Sequence, residues 1–180
     1  MRLFIAINFN DATRSELLAL RDALKNISRR GNYTAVQNLH LTLAFLGECD
    51  EKQAAAAKAA MESTGFDAFG IAIARVGRFK RSGGDIWWAG VNESEALQSL
   101  WDGLSAKLRS GGFSLDARGY SPHITLGREV ATNAAPWSIE PFGETVRRID
   151  LMKSERIGGA LTYTSIYSIY AMVARAEKLL

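Results

Sequence analysis

Two histidines, one cysteine and three prolines are the whole supply of those residues in this chain of 180, and each scarcity excludes something. The lone Cys49 has no partner for an intramolecular disulfide, which removes the small stapled secreted folds. One cysteine and two histidines fall short of the common four-ligand zinc sites. No apolar run approaches the ~20 residues that a membrane-spanning helix needs. The opening MRLFIAINFND is a short alternating run behind a single arginine. It lacks the length and the small-residue cleavage pattern of a signal peptide, so a cytoplasmic protein without membrane contact is the expectation. Neither sign of charge dominates. The formal net charge of +3 is a slight lean toward anionic partners, not a surface that coats nucleic acid. With 47% hydrophobic and 23% charged residues, the chain has the material for one domain over 1–180 with a real core. Nothing in it demands more than a monomer.

What is present follows an order. Leu3 to Asn8 is a short apolar run, read as a buried strand. Asn10-Asp11 and then Thr13-Arg-Ser-Glu16 have the pattern of a helix start with a capping box. Leu17, Leu20, Leu24 and Ile27 fall on one helical face, and Gly31-Asn32 marks the end. A strand is expected over Leu39 to Leu46, then an Ala-rich helix over Glu51 to Ser63 between Asp50 and Gly65. Strands over Phe69 to Val76 and Ile86 to Val91 flank a basic, glycine-bearing loop, Gly77 to Gly84. Asn92-Glu-Ser-Glu95 has a second capping-box pattern. The helix it opens carries Leu97, Leu100, Trp101, Leu104 and Leu108 and stops at Gly111-Gly112. A strand surrounds His123. Two more are expected over Phe142 to Met152 and Leu161 to Val173, separated by Ser154 to Gly159.

The order repeats. Leu3 precedes His40 by 37 positions, and Ile86 precedes His123 by the same 37. At the resulting offset of 83, Leu17 falls on Leu100 and Thr42 on Thr125. Two copies of one unit suggest two lobes facing each other across a pseudo-twofold axis. The histidines sit in NLHLTLAFLG and SPHITLGR, each in the frame His, apolar, Thr, Leu. Alternation along a strand puts His40 with Thr42, and His123 with Thr125, on one face; Leu41, Leu43, Ile124 and Leu126 take the buried face. At average residue usage this tail follows a given histidine roughly once in a thousand times. Two such histidines at equivalent positions are poorly explained by packing alone. Imidazoles titrate near neutrality, so one can act as base while the other acts as acid. Two hydroxyls can hold the non-bridging oxygens of a phosphoryl group. In-line transfer at phosphorus uses that set, and a strained 2′,3′-cyclic phosphate needs no metal. A two-histidine metal site fits less well, because no carboxylate has a place in the pattern.

The segments MRLFIAI, NLHLTLAFLGE, GRF, WAGV, RGYSPHITLGR and SERIGGALTYTSIYS together resemble the two-histidine phosphoesterase superfamily. Within it the chain is similar to the bacterial and archaeal RNA 2′,3′-cyclic phosphodiesterases, also called 2′-5′ RNA ligases, over nearly its whole length. The resemblance implies an α+β bilobal fold. Two pseudo-symmetric lobes, each with an antiparallel sheet and helices, would enclose a cleft that holds both motifs. It implies RNA ends or nucleotides with a 2′,3′-cyclic phosphate as partners, opened to 2′-phosphates with no cofactor and no metal. His40 would protonate the leaving 3′ oxygen and His123 would activate water. Thr42, Thr125 and Arg128 would bind phosphate. Strict alternation puts Arg128 on the face opposite His123, so it must stand at the strand end, follow a bulge or reach round. Cleavage or sealing of 2′-5′ bonds, and a binding module without turnover, are the alternatives.

The chain also departs from the family pattern. Tyr33 and Ala35 stand where Trp and Arg are frequent, Ala44 where lysine is common, and Tyr120 where Phe is frequent before Ser-Pro-His. None is expected to touch the catalytic set. The missing cations weigh against strong binding of a long RNA strand. Phe45 and Trp87 could stack a base or fill core. Arg78, Lys80 and Arg81 could follow a backbone or form a solvated turn. Lys153 and Arg156 flank a turn and could line a rim.

Overall fold

In the computed structural model, which describes residues 1–116 and 118–172, the strands sort into two antiparallel sheets. The four-stranded sheet has the order β3-β1-β8-β9 and the five-stranded sheet β2-β6-β5-β4-β7. The elements are β1 (Arg2–Asn8), α1 (Asp11–Asn26), β2 (Arg30–Tyr33), β3 (His40–Glu48), α2 (Glu51–Thr64) and β4 (Phe69–Phe79). They continue with β5 (Asp85–Val91), α3 (Glu95–Ser110), β6 (His123–Ala131), β7 (Trp137–Val146), β8 (Arg148–Ile157) and β9 (Ala160–Tyr170). A 3₁₀ turn, Val36–Asn38, leads into β3. No helix among the described residues is long and apolar enough to cross a membrane.

The α+β bilobal expectation holds, with the lobes interlocked. The unit β1-α1-β3 recurs as β5-α3-β6, and each histidine strand pairs antiparallel with the opening strand of its own unit. The helices cross over. α1 follows β1 but packs against β2, β6 and β7 of the other sheet, while α3 follows β5 but packs against β3 as well as β4. The apolar faces read from the sequence supply the contacts. Leu17 and Leu24 of α1, and Leu97, Leu100, Leu104 and Leu108 of α3, join Ile5, Leu41, Ile73, Trp87 and Ile124 in one continuous buried cluster. Each leucine so buried contributes about 1.5–3 kcal/mol relative to an exposed one.

Several local expectations are corrected. Helix α1 is capped by Asn10, whose side chain accepts from the Thr13 amide at 2.8 Å. Thr13 is therefore inside the first turn and not its cap. The helix stops at Asn26, before Gly31-Asn32, because that dipeptide belongs to β2, which pairs with β6 of the other lobe. At α3 the cap is Ser94, accepting from the Leu97 amide at 3.2 Å, two residues later than the pattern suggested. The basic loop is shorter than expected, since β4 runs on to Phe79. A Cβ at Gly77 would lie 2.3 Å from the Trp88 ring, so glycine lets that indole lie flat across the strand. The segment Phe142 to Met152, expected as one strand, is two: β7 ends at Val146 in one sheet and β8 begins at Arg148 in the other. The expected end of the last strand at Val173 lies outside the described residues. The Ala-rich helix matches closely, with Asp50 as N-cap in a full capping box with Gln53, and Gly65 closing it at φ +55°.

Candidate active site

Both histidines, both threonines and Arg128 line one cleft of about 1310 Å³ between the two sheets. A smaller hollow of about 660 Å³ beside the start of α3, lined by Arg75, Ser94 and Tyr120 among others, holds none of the five.

The two motif strands share a backbone device that alternation alone does not reveal. In β3, Thr42 stands opposite Ala6 and Ala44 opposite Ile5, so Leu43 is an extra residue. In β6, Thr125 stands opposite Trp88 and Gly127 opposite Trp87, so Leu126 is extra. Each strand thus carries a β-bulge directly after its threonine, and a bulge resets which side chains share a face. Leu43-Ala44 and Leu126-Gly127 are both buried as consecutive pairs. The residue that follows each pair, Phe45 in one strand and Arg128 in the other, returns to the cleft. Of the three ways in which Arg128 could reach the site, the bulge is the one realised. The Arg128 side chain is exposed and makes no hydrogen bond or ion pair among the described residues.

The histidines are held alike at one nitrogen. His40 Nδ1 lies 2.7 Å from the Asn38 carbonyl, and His123 Nδ1 lies 2.7 Å from the Ser121 carbonyl. A carbonyl only accepts, so each Nδ1 carries a hydrogen and each Nε2 is left for chemistry. The second nitrogens differ. His40 Nε2 is 3.0 Å from Thr42 Oγ1, whereas His123 Nε2 has no partner among the described residues. Both rings have aromatic walls. Phe4 and Tyr163 lie 4.9 and 5.3 Å from His40 between centroids. Phe79 and Trp88 lie 5.0 and 6.3 Å from His123. Burial in these walls pulls both histidines below the ordinary value of 6.5, against the backbone bonds that favour the charged form. Arg128 pulls both in the same direction as burial, and His123 also lowers His40.

Other sequence candidates divide. Phe45 is 52% exposed, and the Arg2 guanidinium lies 5.1 Å from its ring centroid. Trp87 is fully buried and is core. Arg78 pairs with Asp85 at 3.1 Å, which also accepts from the Arg81 amide, so that segment is a braced turn outside the cleft. Lys153 and Arg156 do line the cleft, with Arg2, Glu48 and Glu155. Asn38, Tyr163 and Tyr120 also contribute to the site. Asn38 is buried, anchors His40 through its carbonyl, and donates from its side chain to the Leu161 carbonyl at 2.9 Å. Tyr120 does touch the catalytic set, contrary to expectation: its hydroxyl donates to the Thr42 carbonyl at 3.1 Å. The Asn that directly precedes Leu-His was a signal for the first of these; the others needed tertiary contacts. Among the described residues, no three of His, Cys, Asp and Glu gather as metal ligands.

Comparison with known proteins points one way. The 2′-5′ RNA ligase superfamily model matches residues 9–157. An RNA 2′,3′-cyclic phosphodiesterase from Archaeoglobus fulgidus is 35% identical over 80% of this chain and 85% of its own length. One of the same name from Thermotoga maritima is 33% identical over 71% of this chain and 70% of its own. Among solved structures, Escherichia coli LigT complexed with 3′-AMP superposes with a TM-score of 0.82 at 25% identity, covering 96% of this chain and 98% of that one.

Proposed function

The chain belongs to the 2′-5′ RNA ligase superfamily, and we propose that it is an RNA 2′,3′-cyclic phosphodiesterase whose two histidines work without a metal. The observation that carries the mechanism is the matched pair of carbonyl-locked imidazoles, both turning Nε2 to chemistry in one cleft with the Arg128 side chain, His123 Nε2 free and His40 Nε2 on the Thr42 hydroxyl. The phosphodiesterase name of the curated relatives favours hydrolysis over the 2′-5′ sealing reading. One continuous core through both lobes supports a single bilobal domain.

The cyclic phosphate sits between the two motif strands. Thr42 and Thr125 hydroxyls donate to its non-bridging oxygens, and Arg128 supplies the charge-assisted contact. His123, neutral, takes a proton from water as the water oxygen attacks phosphorus. The bond from phosphorus to the ribose 3′ oxygen breaks on the opposite side. His40, protonated, gives its Nε2 proton to that oxygen, exchanging its bond to Thr42 for one to the leaving group. A 2′-phosphate remains. The substrate's negative charge favours imidazolium, which offsets the depressed value of His40 in the free protein. Phe45, exposed in the cleft beyond Thr42, offers a face on which the terminal base stacks. A ribonucleotide phosphate bound to the LigT relative is consistent with a nucleotide-sized occupant.

The test is a short RNA ending in a 2′,3′-cyclic phosphate, incubated with the protein in excess EDTA. A 2′-phosphate end is the expected product. An unchanged end, or turnover that EDTA abolishes, overturns the proposal.

A further inference from the structure

A β-bulge disrupts the ladder and leaves main-chain groups to find partners elsewhere. Here both bulges fall just after a site threonine, and the carbonyls of both threonines are taken by side-chain hydroxyls. The Thr42 carbonyl accepts from Tyr120 at 3.1 Å. The Thr125 carbonyl accepts from Thr34 at 2.8 Å. The origin of the donors matters. Tyr120 stands three residues before His123, and Thr34 stands six before His40. Each threonine is therefore gripped by the approach segment of the opposite histidine.

Both donors are themselves fixed. The Thr34 amide donates to the Leu126 carbonyl at 2.9 Å, and its own carbonyl accepts from Arg21 Nη1 at 2.9 Å. The Tyr120 ring stacks on Trp101 of α3, with centroids 5.2 Å apart and planes 6° from parallel. Burial pushes the Tyr120 phenol far above its ordinary value, so it remains a donor at any working pH. Tyr120 also stands where the resemblance leads one to expect Phe, which has no hydroxyl to give.

We propose that the Tyr120 and Thr34 hydroxyls form a reciprocal latch, two positioning residues that set the gap between His40-Thr42 and His123-Thr125. Neither reaches the phosphate. They act by holding the backbone from which the phosphate ligands and the acid–base pair project. The proposal rests on the phosphodiesterase reading above, in which acid and base must stand on opposite sides of one phosphorus. A misplacement of about 1 Å in such a pair costs on the order of 10²-fold in rate.

The experiment compares Tyr120→Phe, Thr34→Val, the double variant and Thr34→Ser on RNA with a 2′,3′-cyclic phosphate end. Each hydroxyl deletion is expected to lower kcat about 3–10-fold with KM nearly unchanged. The double variant should fall further than either single, because the Tyr120 bond ties the approach to His123 onto β3 while the Thr34 bond holds the approach to His40 on β6. Thr34→Ser keeps the donor and should retain wild-type kcat. A double variant with wild-type kcat overturns the latch, as does a Thr34→Ser loss equal to that of Thr34→Val. A wild type inactive on this substrate would sink the phosphodiesterase reading instead. Amide exchange then judges the latch by itself. Faster exchange in the double variant, confined to 40–46 and 123–129, supports it, and unchanged exchange there overturns it.

Discussion

At the sixth residue of each motif strand the two halves of the molecule part company. From His40 to Ala44 and from His123 to Gly127 they agree position by position: a half-buried histidine, a buried aliphatic, a half-buried threonine, then two buried residues across the bulge. The same backbone then delivers Phe45 to the cleft on one side and Arg128 on the other. A duplicated scaffold can hold two imidazoles symmetrically about a phosphate, but the substrate has no such symmetry. In the proposed function one side meets a nucleobase and the other meets charge. The repeat supplies geometry, and the position after the bulge supplies the difference. The histidines differ in the same way. They are locked identically at Nδ1, yet only His40 spends Nε2 on its own threonine.

The sharpest way to break this near-symmetry is to remove one imidazole at a time and change the leaving atom. His40→Ala and His123→Ala should each cost roughly 10²–10⁴ in turnover of a cyclic-phosphate RNA. They should separate on a substrate with sulfur in place of the ribose 3′ oxygen, because a thiolate leaves without a proton. His40→Ala should recover most of its rate there, and His123→Ala should not. Recovery in the opposite variant would exchange the acid and base roles. Equal recovery, or none in either, would mean that the two histidines do not divide the proton transfers.

Next in size is the contrast at the sixth position. Arg128→Ala should lower kcat/KM on the order of 10²-fold, since a charge-assisted contact to the transferring phosphoryl group strengthens in the transition state. Phe45→Ala should cost about tenfold, the scale of one base–aromatic stack, and the loss should depend on which base ends the RNA. Arg128→Ala should be blind to the base. Steady-state kinetics on the four terminal nucleotides decides this. A base-dependent Arg128 defect together with a base-blind Phe45 defect would reverse the assignment.

Much of this architecture was legible before any coordinates. Periodicity and frame put Leu41, Leu43, Ile124 and Leu126 in the core, and all four are buried. Asp50 and Gly65 bounded their helix by side-chain capping and a left-handed stop, which are local effects. What stayed hidden depends on distant partners. β2 is four polar-leaning residues, RGNY, with no apolar alternation to mark it. It is a strand because β6, far along the chain, accepts it as an edge. The switch of sheets at Arg147 is marked only by the pair Arg147-Arg148, which does not by itself tell a change of sheet from a polar stretch of one strand. The bulges have no sequence signature of their own, so the facing of Arg128 stayed open among three routes. Tyr120 read as a neutral exchange for Phe because a phenol's value depends on whether an acceptor waits at its tip.

The smallest expected effect concerns pH, and it tests whether the two histidines share one electrostatic environment. Both are held below 6.5, chiefly by burial and further by Arg128. As the proposed base His123 must be neutral, so the acid limb of kcat/KM is expected below 6.5. As the proposed acid His40 must be protonated, so the alkaline limb in the free protein should be drawn down as well. The kcat/KM optimum should therefore sit on the acid side of 6.5. The kcat profile, which reports the complex with an anionic phosphate, should be displaced to higher pH. Arg128→Ala removes a cation that opposes both imidazolium forms, so both kcat/KM limbs should move up together. Movement of one limb only would mean that Arg128 faces one histidine and not the phosphate between them, and the even-handed place assigned to it after the bulge would be lost.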